Sequence, residues 1–128
     1  MDGKLVLSGT VTLATPGQEV VVAAVPVLDD DYVLTGWIDL SGMPSDAMVR
    51  VCLVFTVTEG GTETRLCADY SGAADAAPLH IRAMYLPRWA NARITMTLLS
   101  GSAFTSGYWI VAVKPDIGIR ALLMRRFA

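Results

Sequence analysis

The chain has 128 residues, of which 53% are hydrophobic and 17% charged, with a net charge of −2 at pH 7. That length suits one domain with a core of its own, and the pI near 5.2 argues against the basic face that nucleic acid requires. The longest apolar run, residues 20–28, is about half the ~20 residues of a bilayer-spanning helix and contains Pro26, so no membrane span is expected.

Residues 5–13 alternate, Leu5, Leu7, Val11 and Leu13 against Val6, Ser8, Thr10 and Thr12, which predicts a first β-strand ending at the Thr15-Pro16-Gly17 turn. Residues 19–28 form a nearly continuous Val/Ala run, the pattern of a strand covered on both faces. Pro26 restricts its end to an edge or a bulge, because proline donates no ladder hydrogen bond. Asp29, Asp30 and Asp31 make a polar loop; adjacent aspartates point in alternating directions, whereas cation loops space their ligands by two, so a solvated turn is expected.

The stretch YVLTGWIDLSGMPSDAMVRVCLVFTVT, residues 32–58, contains two long strands joined by a Gly/Pro/Ser/Asp corner. In the first strand Tyr32, Leu34, Ile38 and Leu40 share the core face, and Val33, Thr35, Trp37 and Asp39 the other. In the second, Val49, Val51, Leu53, Phe55 and Val57 share the core face. The opposite face carries Arg50, Cys52, Val54, Thr56 and Thr58, and with Trp37 it is less polar than a solvated sheet face should be. Some cover is therefore expected there.

Glu59-Gly60-Gly61-Thr62 predicts a tight hairpin into a strand over residues 63–70. With Glu59-Gly60 at the tip, paired residue numbers sum to 119, which sets Cys52 opposite Cys67, Arg50 opposite Asp69 and Leu53 opposite Leu66. With Gly60-Gly61 at the tip, the cysteines become diagonal neighbours. Free, dispensable thiols are expected on compartment grounds, since Met1-Asp2-Gly3-Lys4 lacks the features of a signal peptide and implies synthesis in a cytoplasm.

After the small-residue loop SGAADAAP, residues 79–86 alternate with Leu79, Ile81, Ala83 and Tyr85 on one face and His80, Arg82 and Met84 on the other. Residues 92–99 and 107–114 form a last hairpin through the loop SGSAFTSG. Eight strands without a helical period predict an all-β antiparallel sandwich over residues 1–115, a jelly roll in preference to an immunoglobulin-like sandwich. Residues 116–128 form a separate C-terminal arm or short helix, where Ile117, Ile119, Leu122, Leu123, Met124 and Phe127 mix with Arg120, Arg125 and Arg126.

No catalytic set emerges. His80 is the single histidine, too few for a histidine triad or a metal pair, and the glycines mark turns and open no phosphate-binding helix. The expectation is a non-enzymatic protein without cofactor or metal. Trp37, Trp89 and Trp109, with the tyrosines, are candidates for a subunit contact or for stacking on sugar rings. Arginine outnumbers lysine eight to two, which suits interfaces because guanidinium is weakly hydrated.

The succession YVLTGWIDLSGM, VRVCLVFTV, TETRLCADYSG, APLHI and NARITMTLLSGSAFTSGYWIVAVKP resembles the small jelly-roll structural proteins of tailed-phage virions, particularly capsid decoration or auxiliary head proteins. It covers residues 32–115. The resemblance implies a homotrimer on a capsid surface that clamps neighbouring shell subunits. Its outer faces and terminal arm would carry the contacts: Trp37, Val54, Trp89, Ile117, Ile119, Arg120, Leu122, Leu123, Met124, Arg125, Arg126 and Phe127. The partners would be the chain itself and the shell protein, with neither nucleic acid nor membrane; the alternative is a carbohydrate-binding sandwich or another trimeric interaction domain.

Overall fold

The computed structural model describes residues 4–26, 30–56 and 58–114. Eight antiparallel strands build a β-sandwich: β1 Lys4–Leu13, β2 Glu19–Val25, β3 Tyr32–Asp39, β4 Met48–Phe55, β5 Thr64–Ser71, β6 Pro78–Leu86, β7 Ala92–Ser100 and β8 Phe104–Val113. One sheet has the order β1-β8-β3-β6 and the other β2-β7-β4-β5. The first strand pairs with the last, the second with the seventh, the third with the sixth and the fourth with the fifth.

The alternating side chains of β3 that were expected to point inward do so. Tyr32, Leu34, Ile38 and Leu40 from the β3 region meet Val49, Ile94, Met96 and Leu98 from the opposite sheet, and all are at most 1% exposed. Burial also pushes the Tyr32 phenol up to about 12, because the ionised form would lose its water. Its hydroxyl donates to the Ala90 carbonyl at 3.1 Å. The corner after β3 carries the chain from one sheet to the other through two turns, with the Met43 amide donating to Leu40 and the Ala47 amide to Pro44, both at 3.0 Å. Leu40, Met43 and Ala47 are buried beneath it.

Several expectations need correction. The Val/Ala run ends as β2, an edge strand, and is not covered on both faces: Val21 is 52% exposed. A bulge between Val21 and Ala23 lets consecutive Val22 and Ala23 both be buried. A second irregularity breaks the alternation of β6, so that Ile81 stands opposite Gly36 but Met84 opposite Leu34. Met84 and Leu86 thereby join the inner face, where Ala83 and Tyr85 were expected. The β4–β5 ladder stops at Phe55 and Thr64, and the turn is closed by the Gly61 amide on the Thr58 carbonyl at 3.0 Å. The connection is therefore longer than a tight four-residue hairpin. The last strand begins at Phe104, three residues ahead of the expected start. The expected arm, residues 116–128, lies outside the described residues.

The two sheets are not evenly spaced. Cα atoms of β1 and β2 approach within 8 Å across the sandwich, whereas none of β5 comes that close to β6. The β1–β2 side of the sandwich is therefore narrower than the β5–β6 side. Leu66 shows the consequence: it lies opposite Leu53, on the face of β5 that looks inward, yet it is 50% exposed.

Candidate functional site

The outer face of the β1-β8-β3-β6 sheet presents an aromatic row. Register places Ser8 opposite Trp109, Trp109 opposite Trp37 and Trp37 opposite His80, so one line crosses all four strands. Trp37 and Trp109 are each 46% exposed, and Val6 nearby is 39% exposed. The His80 ring lies 4.7 Å from that of Trp37, tilted by 47°. Thr35, next along β3, donates its hydroxyl to the Ile81 carbonyl at 2.8 Å. Large rings exposed on a hydrogen-bonded sheet stand on a backbone held by the ladder, so less freedom is lost when a partner covers them.

Gly36 lets β3 and β8 meet at this row. It stands opposite Ile110, with a φ of +154°, and a Cβ there would overlap the Trp109 carbonyl oxygen and the Ile110 Cα. Trp37 and Trp109 flank this close approach.

The outer face of the other sheet carries a charged lattice. Arg65 on β5 reaches over the sheet to Glu19 on β2, with its two terminal nitrogens 2.5 and 3.1 Å from the carboxylate oxygens. Glu19 also accepts from the buried Thr95 hydroxyl at 3.0 Å. The Arg65 hydrogen bond is the main cause holding the Glu19 carboxyl below its ordinary range. Arg93 pairs with Glu63 at 2.5 Å, and Arg50 with Asp69 at 2.8 Å. Asp69 is likewise held low by Arg50.

This lattice explains the apolar outer face that called for a cover. Val54 stands between Arg65 and Arg93 and is fully buried, so it presents no surface and is not available as the interface residue expected. Cys52, beside Thr95, is 3% exposed. The cover is supplied by the chain's own arginine stems, which lie along apolar surface while their heads remain in water.

The cysteine expectation is overturned. Cys52 and Cys67 form a disulfide across β4 and β5, with Cα atoms 4.1 Å apart. The register whose pairs sum to 119 is the one present, with Arg50 opposite Asp69 and Leu53 opposite Leu66. The reason is geometric: directly opposed cysteines on neighbouring strands have Cβ atoms within bonding reach. A bond between neighbours in one sheet also differs from the intersheet bridge of an immunoglobulin domain.

Trp89 is 38% exposed but sits in the β6–β7 loop, beyond the opposite end of β6 from His80, and does not join the row. Asp31 accepts the Tyr85 hydroxyl at 2.7 Å and the Arg88 amide at 3.0 Å, and Asp30 pairs with Lys114 at 3.0 Å. These two aspartates hold protein groups. Sequence reasoning named Trp37 and Trp109 as candidates but did not align them. The register of β3 against β8 was the missing information, since it joins residues far apart in the chain. The chain matches no family model, no curated protein and no solved structure.

Proposed function

We propose that this chain is a non-enzymatic virion structural protein, a capsid decoration or auxiliary protein that assembles as a homotrimer and binds a shell through the outer face of the β1-β8-β3-β6 sheet. The observation that carries the reading is the exposed Trp37–Trp109 pair with Val6, because tryptophans clustered on a rigid surface are the usual anchors of protein contacts. We read the nested pairing of the strands as jelly-roll wiring, an arrangement that viral capsid and lectin domains use. The low charge content supports the same reading, since a standard contact of ~800 Å² per partner would remove apolar surface from water at roughly 25 cal/mol per Å².

Size-exclusion chromatography with light scattering tests it, followed by co-sedimentation with capsid particles. The wild type should elute as an oligomer at micromolar concentration and bind the shell. Trp37→Ser/Trp109→Ser should be a folded monomer that does neither. A wild-type monomer that binds no shell overturns the reading.

A second reading, carbohydrate binding, is favoured by one feature: Trp109, Trp37 and His80 are aligned across three strands, with Ser8 and Thr35 hydroxyls beside them. Sugar rings stack on such rows. Glycan-array binding that the double variant abolishes, in a protein that remains monomeric, would select it.

A further inference from the structure

We propose that the wider side of the sandwich, between β5 and β6, binds an unbranched fatty acid, with the alkyl chain between the two sheets and the carboxylate on Arg82. The space there is a cleft of about 580 Å³, within the ~300–1,000 Å³ range of small-molecule sites. Leu53 and Leu66 from one sheet face Leu79, Ile81 and Met84 from the other across it. Leu66 is half exposed although it stands on the inward face, and the other four are only partly buried. Core positions are thus left in contact with water, and an apolar ligand would remove them from it.

Two features set the chemistry of that ligand. The first is charge. Arg65, His80 and Arg82 line the cleft, and no aspartate or glutamate does. Arg65 is held by Glu19 and the His80 ring lies against Trp37, whereas the exposed Arg82 side chain has no ion pair or hydrogen bond among the described residues. A guanidinium beside an apolar cleft matches a carboxylate, which it grips with two parallel N–H donors. The second is the wall itself. An alkyl chain brings no backbone amide, whereas a peptide laid between these leucine, isoleucine and methionine side chains would leave amides and carbonyls unpaired.

The wall also sets the length. From Met84 to Leu79 it runs about 17 Å at the rise of a strand, and from Arg82 to Leu79 about 10 Å. A saturated chain advances about 1.25 Å per bond, from C–C bonds of about 1.5 Å at tetrahedral angles. The ligand is therefore a monocarboxylate of about eight to fourteen carbons.

The test titrates the full chain calorimetrically with octanoate, decanoate and laurate below their micelle concentrations, and locates decanoate by isotope-filtered NMR. Affinity should rise by up to about fourfold per methylene, with Overhauser contacts from decanoate to the methyl groups of Leu66, Ile81 and Met84. Arg82→Gln changes an exposed side chain and should weaken decanoate about three- to tenfold while leaving decanol binding unchanged, because the alcohol carries no charge. Leu66→Asp sets a carboxylate in the cleft at a half-exposed position and should abolish decanoate binding with the β-type circular dichroism unaltered. No saturable binding overturns the proposal, as it would if a second copy or another part of the chain filled the cleft. Equal losses of decanoate and decanol in Arg82→Gln overturn the carboxylate contact. Binding that survives Leu66→Asp but is lost in Trp37→Ser/Trp109→Ser puts the ligand on the aromatic row and also overturns the proposal.

Discussion

Trp37 and Trp109 stand directly opposite one another on β3 and β8, each nearly half exposed, one residue away from the point where Gly36 brings the two backbones together. The side chain absent at Gly36 is therefore a condition for the aromatic row. Gly36→Ala would force the Trp109 carbonyl and the Ile110 backbone aside in the middle of a four-stranded sheet. It should cost at least about 2 kcal/mol, in the range of strained backbone positions. Urea unfolding would measure the loss, and a variant as stable as the wild type would show that β3 can shift without penalty.

The disulfide between Cys52 and Cys67 closes a hairpin with a sequence separation of 15. Loop closure of that size restricts the unfolded chain by about 3 kcal/mol. Replacing both cysteines with alanine should lower the melting temperature by on the order of 10 °C for a domain of this length. Reductant should do the same to the wild type and nothing further to the variant. Equal melting curves with and without reductant would mean that the bond contributes nothing.

Local pattern made most strands legible, because Leu5 to Leu13, Tyr32 to Leu40 and Val49 to Phe55 alternate with a period of about two, and Val11, Leu13, Leu34, Ile38, Val49 and Val51 on the faces so selected are buried. Pattern failed where a backbone irregularity shifts the period. Ala23 follows Val22 into the core through a bulge, and no residue type announces it; the same is true of Met84 on β6. The β4–β5 register was legible because one hairpin turn sets it, and it carried Cys52, Arg50 and Leu53 to their partners. The alignment of Trp109 with Trp37 and the bridge from Arg65 to Glu19 were not, since each depends on pairings between strands distant in sequence.

Glu19 links stability to pH. Folding holds its carboxyl below the ordinary value of 4.5, first through the Arg65 hydrogen bond. The ion pair's contribution is therefore fully present above about pH 4.5 and is lost as pH falls through the lower folded value. Both side chains are more than a third exposed, so the effect is small and screened by salt. Glu19→Gln should flatten the acid limb of the stability curve while leaving Thr95 an acceptor. Glu19→Ala also strands the buried Thr95 hydroxyl, adding about 1–2 kcal/mol. Chemical unfolding between pH 3 and pH 7 separates the two. An acid limb in Glu19→Gln as steep as that of the wild type would remove Glu19 from the account.

Ser106 lies on the inner face of β8, opposite Val11, and is 1% exposed. Its hydroxyl has no hydrogen-bond partner among the described residues, which makes it an uncompensated polar atom in an apolar interior. Leaving such a group unpaired costs about 1–3 kcal/mol relative to water, while removing one oxygen from a packed site sacrifices a few dispersion contacts of about 0.1–0.2 kcal/mol each. The first effect is the larger. Ser106→Ala should therefore stabilise the sandwich by up to about 1 kcal/mol, read as a higher urea midpoint with an unchanged denaturant slope. A fall in that midpoint would show that the hydroxyl is satisfied in solution, with a buried water as the evident partner.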